Sequence, residues 1–220
     1  MQQRTILYNG KEITVQYDVN RCIHARKCVE GLPDVFDPKQ KPWISPDNAP
    51  PGNLVDVIET CPTGALHYEM KSSSNRSEKS PSKNRISLQP DGPIYIYGDI
   101  EIQDADGNTL LEDTRIALCR CGTAENKPLC DNSHKKINFR AGTEADLTKM
   151  PAVPAETQKG RLVLKLMKNG PVLVEGNYTI ESETISPHTS SKSIALCRCG
   201  ESSTKPFCDG THKTNGFEAL

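Results

Sequence analysis

Three cysteines and one histidine occur twice in the same frame, within two nearly identical segments of the chain. The segments read IALCRCGTAENKPLCDNSH at residues 116–134 and IALCRCGESSTKPFCDGTH at residues 194–212. Each has the spacing Cys-x-Cys-x8-Cys-x3-His, and the second set follows the first at a constant offset of 78 residues. The candidate ligands are Cys119, Cys121, Cys130, His134, Cys197, Cys199, Cys208 and His212. Such a recurrence of ligand-type residues predicts a metal centre in each copy.

The duplication extends beyond the cysteine motif. The same offset aligns DGPIYIYG at residues 91–98 with NGPVLVEG at residues 169–176, without a net gap. Both copies therefore begin with β-rich segments and a Gly-Pro turn. With only two copies, we expect an intrachain pseudo-dimer rather than a repeat array.

The composition limits how the chain can be stabilised. Of 220 residues, only 35% are hydrophobic and 5% aromatic, which is low for ordinary apolar cores, so disulfides or metal centres are expected. Nine cysteines cannot all pair within one chain, and the first residues lack an apolar signal core, which favours free thiols and the cytoplasm. No apolar run reaches a membrane-spanning length, and a net charge of −1 without a basic block argues against nucleic-acid binding.

The spacing leaves two kinds of metal centre open. A set of three cysteines and one histidine suits tetrahedral structural zinc. Zinc ligands usually come in knuckles with two intervening residues, so Cys-x-Cys favours an iron–sulfur cluster. In the second copy we also expect Asp209 to cap a helix, Gly210 to form the turn and His212 to lie on the first helical turn.

The second copy, with CDGTH at residues 208–212, resembles the CDGSH iron–sulfur family of mitoNEET-like proteins at every motif position. The resemblance implies a [2Fe–2S] cluster held by three thiolates and one histidine nitrogen per motif, and a strand-built cap shared by two motif units. The first copy departs from the pattern at Ala124 and Asn132. A hydroxyl hydrogen bond is then absent unless Thr123 replaces it, whereas asparagine tolerates a positive φ. We expect a cluster in both copies.

The N-terminal segment predicts a different centre. After a hairpin signal in TILYNGKEITVQYD, it contains Cys22, Cys28 and Cys61, the last followed by proline. Residues 1–70 resemble divergent single-cluster ferredoxin domains, with Ala25 in place of the usual second cysteine. The resemblance implies a [3Fe–4S] cluster, or a [4Fe–4S] cluster whose fourth iron takes His24 or an exogenous ligand. The alternative is a ferredoxin-like fold that has lost its cluster.

These observations predict an α+β protein with a small ferredoxin-like domain and two β-rich CDGSH units. The expected boundaries are 1–70 for the ferredoxin-type domain, 71–84 for a linker, 85–140 for the first CDGSH unit, 141–160 for a second linker and 161–220 for the second unit.

The predicted function is one-electron transfer by a soluble monomer, with a redox protein or an apo-acceptor as its partner. Cluster storage or transfer, redox or pH sensing, and a zinc-based interaction module are the alternatives. We do not expect an enzyme, because no dinucleotide loop or nucleophile–base signature occurs.

Overall fold

The computed structural model describes residues 4–71, 78–154 and 160–219. Within this part of the chain, the residues up to Lys79 form one compact unit and those from Ser80 onward form another. No helix in the described ranges is long and apolar enough to cross a membrane.

The N-terminal unit consists of a three-stranded antiparallel sheet and two short helices. Its elements are β1 (Thr5–Asn9), β2 (Ile13–Asp18), α1 (Lys27–Gly31), α2 (Pro51–Ile58) and β3 (Leu66–Met70). The strand order is β1-β2-β3, and β1 with β2 forms the predicted hairpin. Alternate residues of β2, including Ile13 and Val15, are buried against Phe36 and Leu54. The sequence analysis does not predict β3, which completes the sheet.

The second unit contains one eight-stranded sheet. Its elements are β4 (Arg85–Leu88), β5 (Ile94–Gln103), β6 (Thr109–Leu118), α3 (Ser133–Lys136), β7 (Leu162–Leu166), β8 (Val172–Glu175), β9 (Tyr178–Glu181), β10 (His188–Ser190) and β11 (Ile194–Leu196). The strand order is β10-β9-β4-β5-β7-β8-β11, and β6 pairs with β5 outside this path. Both copies contribute strands to the same sheet.

The first strand of each copy lies between the two copies. Within its own copy, β4 pairs antiparallel with β5, and β7 pairs antiparallel with β8. Strand β4 of the first copy pairs in parallel with β9 of the second, where Ile86 lies opposite Ile180. Strand β7 of the second copy pairs in parallel with β5 of the first, where Leu164 lies opposite Ile102. The 78-residue offset converts one pairing into the other. Side chains from both copies therefore form a single apolar core.

Between the two copies, the described chain is bound first to the first copy, through Ala141, and then to the second copy. Val153 N–H donates to the Thr189 carbonyl oxygen over 3.0 Å, and Ser190 Oγ donates to the Pro151 carbonyl oxygen over 3.0 Å. This segment belongs to the predicted linker at 141–160, and here it runs beside β10.

Both predicted linkers extend beyond the residues that the structure describes. Residues 72–77 of the linker predicted at 71–84, and residues 155–159 of the linker predicted at 141–160, lie outside them.

Candidate metal centres

The first candidate centre lies at the end of β6. Cys119 directly follows this strand, and its backbone N–H donates to the Pro128 carbonyl oxygen over 2.8 Å. The Cys130 N–H donates to the Ala117 carbonyl oxygen over 2.8 Å. These bonds fold the motif into a narrow loop and return its second half to the end of the strand.

The ligands of the first centre are brought together in two pairs. The Cys119 and Cys121 sulfurs are 3.5 Å apart, and the Cys130 sulfur is 3.4 Å from His134 Nδ1. All four side chains are buried, and the cysteines are free thiols. Two thiolates on one tetrahedral metal lie about 3.8 Å apart, given metal–sulfur bonds of about 2.3 Å. Among the described residues, no three ligand-type side chains converge as the ligands of one ion would.

Hydrogen bonding and burial shift the pKa values of the candidate ligands of this centre. The contact between the Cys119 and Cys121 sulfurs lowers the pKa of Cys121 to about 6 and raises that of Cys119. Burial raises the pKa of Cys130 to about 11 and lowers the pKa of His134. The lowered pKa values of Cys121 and His134 favour their deprotonated forms, which are the ligating forms of these side chains.

The second candidate centre follows β11 and has the same loop. The Cys197 N–H donates to the Pro206 carbonyl oxygen over 2.9 Å, and the sulfurs of Cys197 and Cys199 are 3.6 Å apart. His212 differs from its counterpart, because its Nδ1 faces the Asn169 carbonyl oxygen at 2.8 Å. If Nδ1 donates this bond, Nε2 is the nitrogen left for a metal. Cys208 is also less buried than the corresponding cysteine of the first centre.

The turn before each histidine is left-handed, and in the second copy the N-cap position is taken by Gly210 rather than by the predicted Asp209. In the second copy, Asp209 Oδ1 accepts the Thr211 N–H over 3.0 Å, and Gly210 has a φ of 92°. A 3₁₀ turn at Thr211–Lys213 follows and carries the histidine. In the first copy, Asn132 has a φ of 72°, so asparagine does take the left-handed conformation in place of glycine.

The hydroxyl groups of the two copies have different roles. Ser202 Oγ donates to the Phe207 carbonyl oxygen over 2.6 Å and closes the second loop. Its counterpart Ala124 is buried and has no hydroxyl. Thr123 does not replace this bond, since its Oγ1 lies 3.3 Å from the Cys121 sulfur. Thr123 therefore contacts a candidate ligand rather than the loop backbone.

The two motif loops pack directly on each other. A Cβ atom added to Gly122 would lie 2.3 Å from the carbonyl oxygen of Cys199 in the other copy. A Cβ atom added to Gly200 would lie 2.5 Å from the carbonyl oxygen of Cys121. Both glycines also have a positive φ, so this reciprocal contact permits no side chain on either loop.

A buried arginine lies between the first two cysteines of each motif. Arg120 Nε donates to the Gly92 carbonyl oxygen over 2.7 Å, and Arg198 Nε donates to the Gly170 carbonyl oxygen over 2.8 Å. Burial lowers both pKa values, that of Arg198 to about 10, so both remain cationic at neutral pH. Each arginine is influenced by the charge of the other motif's first cysteine. The sequence analysis missed these residues, although their recurrence at the 78-residue offset was visible.

The N-terminal unit holds its cysteines around one cavity of about 760 Å³. Cys22, Cys28 and Cys61 all line this cavity, and so does His24, which is exposed. Burial raises the pKa of Cys28 to about 11, and the charge of Cys61 adds to this effect. The structure places the four predicted residues at one site, and the ligand role of His24 stays a prediction.

Aromatic side chains form part of the same cavity wall. Tyr17 and Trp43 both line the cavity, and their rings meet edge to face with centroids 4.9 Å apart. Trp43 also contacts the buried Phe36, with ring centroids 6.1 Å apart. These contacts agree with the packing role expected of aromatic residues in a small core.

Comparison with known proteins identifies the same three regions. The model for iron-binding zinc fingers of CDGSH type matches residues 91–135 and 169–213, and a model described as a divergent 4Fe-4S mono-cluster matches residues 8–71. The uncharacterized protein YjdI of Escherichia coli, in strains K12 and O157:H7, is 44% identical over 64 residues. The match covers 29% of this chain and 84% of each relative. No solved structure matches this chain.

Proposed function

We propose that this chain transfers single electrons to or from a redox protein. The matches to the CDGSH-type iron-binding model and to the divergent 4Fe-4S mono-cluster model support this proposal. When bound, [2Fe–2S] clusters at the two motifs supply the one-electron chemistry. The side chains of the chain bind the clusters, keep water away from them and set their potentials.

The pairing of the ligands carries this proposal. In the first motif, Cys119 and Cys121 form one pair, while Cys130 and His134 form the other. A two-iron cluster needs two protein ligands on each iron, and both observed spacings are close to those of ligands on one tetrahedral metal. One neutral imidazole in place of a thiolate makes such a cluster less negative and raises its potential.

The two motif units act together in this proposal as an intrachain pseudo-dimer. The parallel pairings of β4 with β9 and of β5 with β7 support it, because each joins a strand of one unit to a strand of the other. The reciprocal contacts of Gly122 and Gly200 bring the two motif loops together. The chain would therefore function as a monomer.

The N-terminal cavity is the proposed site of a third cluster. Three thiols and a roomy, largely apolar lining fit a [3Fe–4S] cluster, or a [4Fe–4S] cluster that takes His24 or an exogenous ligand as its fourth. The matched mono-cluster domain favours the four-iron form.

Metal analysis of the purified full chain tests the proposal. Two [2Fe–2S] sites give about four iron atoms and four sulfides, and the N-terminal site adds about three or four iron atoms. The C22S/C28S/C61S variant should lose only this last contribution and its electron paramagnetic resonance (EPR) signal. Reversible reduction without loss of iron supports electron transfer. A colourless protein with stoichiometric zinc would overturn the proposal in favour of a zinc-based interaction module.

Cluster delivery to an apo-acceptor is the second candidate function. The observation in its favour is that Cys208 and His212 of the second centre are only partly buried, whereas Cys130 and His134 of the first are buried. Stoichiometric transfer of iron and sulfide to an apo-ferredoxin, at a rate faster than spontaneous loss, would support delivery. Retention of both clusters in the presence of the acceptor would count against it.

A further inference from the structure

A hydroxyl group lies beside a candidate ligand sulfur in the first motif. Thr123 Oγ1 lies 3.3 Å from the Cys121 sulfur in the first motif. The residue at the corresponding position of the second motif, 78 residues later, is Glu201. The second motif's own hydroxyl, on Ser202, instead donates to the Phe207 carbonyl oxygen.

The direction of the Thr123 hydrogen bond follows from the chemistry of the sulfur. Between a thiol and a hydroxyl, either atom could donate. A sulfur that ligates iron carries no proton, so the threonine O–H must then be the donor. A hydrogen bond to an anionic acceptor strengthens as the negative charge on that acceptor grows. The bond therefore stabilises the reduced form of a cluster more than the oxidised form.

The backbone of the two motifs is alike at this point, so the difference lies in the side chains. Gly122, directly before Thr123, has a φ of 80°, and Gly200, directly before Glu201, has a φ of 84°. Both Thr123 and Glu201 lie at the surface. A carboxylate at residue 201 offers no proton to sulfur and adds negative charge, which opposes reduction of the second site.

We propose that Thr123 tunes the first CDGSH site to a higher reduction potential than the second, so that a single electron on the two motif units rests in the first. This inference rests on the proposed function, since it requires a cluster at both motifs. Thr123 acts on the first site, and Glu201 leaves the second site at the lower potential. Electron transfer from the second site to the first is then favourable, whereas two identical motifs would have equal potentials.

Redox titration of the full chain, followed by the EPR signals of the [2Fe–2S] sites, tests the proposal. The wild type should show two one-electron steps. Thr123→Val keeps the shape of the side chain but removes the hydroxyl. It should lower the equilibrium constant for reduction of the upper step by up to about tenfold. For one electron this lowers the midpoint potential by up to about 59 mV. Thr123→Ser keeps a hydroxyl and should restore the wild-type value.

The second motif provides the matched control. Glu201→Thr should raise the midpoint potential of the lower step. The increase should be larger than that in Glu201→Val, which removes the charge without adding a hydrogen-bond donor. The Thr123→Val and Glu201→Thr variants should both narrow the gap between the steps, from above and from below respectively. If Thr123→Val lost its cluster, the Thr123→Ser and Glu201 variants would still decide the question.

Iron and sulfide counts separate failure of this inference from failure of the proposed function. A wild-type chain without sulfide in both motifs would overturn the proposed function and this inference with it. Full clusters in the wild type and in Thr123→Val, with both midpoints unchanged, would overturn only the role of Thr123. Equal midpoints in the wild type would likewise contradict the tuning alone.

Discussion

The contact between the two motif loops predicts a large effect of a single methyl group. Gly122→Ala places a Cβ atom 2.3 Å from the Cys199 carbonyl oxygen and 2.7 Å from its carbonyl carbon, at a φ of 80°. The left-handed backbone costs about 1–2 kcal/mol for any residue with a Cβ atom. Overpacking against backbone that cannot easily move costs about 1–3 kcal/mol more. We therefore expect the free energy of unfolding of the second unit to fall by roughly 2–5 kcal/mol.

Gly107→Ala is the matched control for this substitution. Gly107 has a φ of 91° in the same unit, but no atom lies within 4 Å of its added Cβ position. In this variant the free energy of unfolding should fall only by the cost of the left-handed backbone, about 1–2 kcal/mol. The difference between the two variants therefore isolates the clash between the motif loops.

Urea unfolding followed by two probes measures the effect. The only tryptophan, Trp43, lies in the N-terminal unit, so its fluorescence reports that unit. Far-ultraviolet circular dichroism also reports the sheet of the second unit. With a slope of about 2 kcal/mol per M, Gly122→Ala should lower the second unit's midpoint by roughly 1–2.5 M and leave the fluorescence midpoint unchanged. Equal midpoints for Gly122→Ala and Gly107→Ala would refute the packing of the loops.

Three further predictions follow from the two motifs and from the sheet that carries them. Ser202→Ala removes the donor to the Phe207 carbonyl oxygen and should lower the free energy of unfolding of the second unit by about 1–2 kcal/mol. An unchanged urea midpoint would show that this hydrogen bond does not stabilise the loop. An iron chelator should remove iron in two phases, because Cys208 is less buried than Cys130. Cys208→Ser should abolish the fast phase. A single phase of iron loss in the wild type would contradict this reasoning. Hydrogen bonds from Gln103, Thr109 and Arg161 lower the pKa of Glu101 to about 2, below its unfolded value of about 4.3. The stability that Glu101 contributes is thus present above about pH 4.3 and is lost as the pH falls toward 2. Glu101→Gln should flatten the dependence of the urea midpoint on pH in that window, and an equally steep dependence in the variant would count against the prediction.

The ligands could be predicted from the sequence because their spacing is local. Cysteine and histidine at fixed separations, repeated at one offset, indicate metal binding whatever the rest of the chain does. The left-handed turn at Asn132 was predictable for the same reason, since the conformational tolerance of asparagine is a property of the residue itself.

Features that depend on distant parts of the chain could not be predicted. The apolar alternation of β4 and β7 suits pairing with either copy, so it does not say that each strand pairs with both. Thr123 and Ser202 are hydroxyl residues in similar loops, and only the structure separates a contact with sulfur from a contact with a carbonyl. The segment ending at Val153 looks like a linker because its hydrogen-bond partner, Thr189, lies far along the sequence.

The strand pairings between the two copies have a consequence for how the molecule can evolve. In a symmetric homodimer with the same pairings, every substitution would appear twice and change both motifs alike. Here the pairings join two halves of one chain, β4 with β9 and β5 with β7, and the residues of the two halves can vary independently. Ala124 opposite Ser202, and Thr123 opposite Glu201, are substitutions of this kind. Covalent fusion thus preserves the shared core while releasing the two motifs from symmetry.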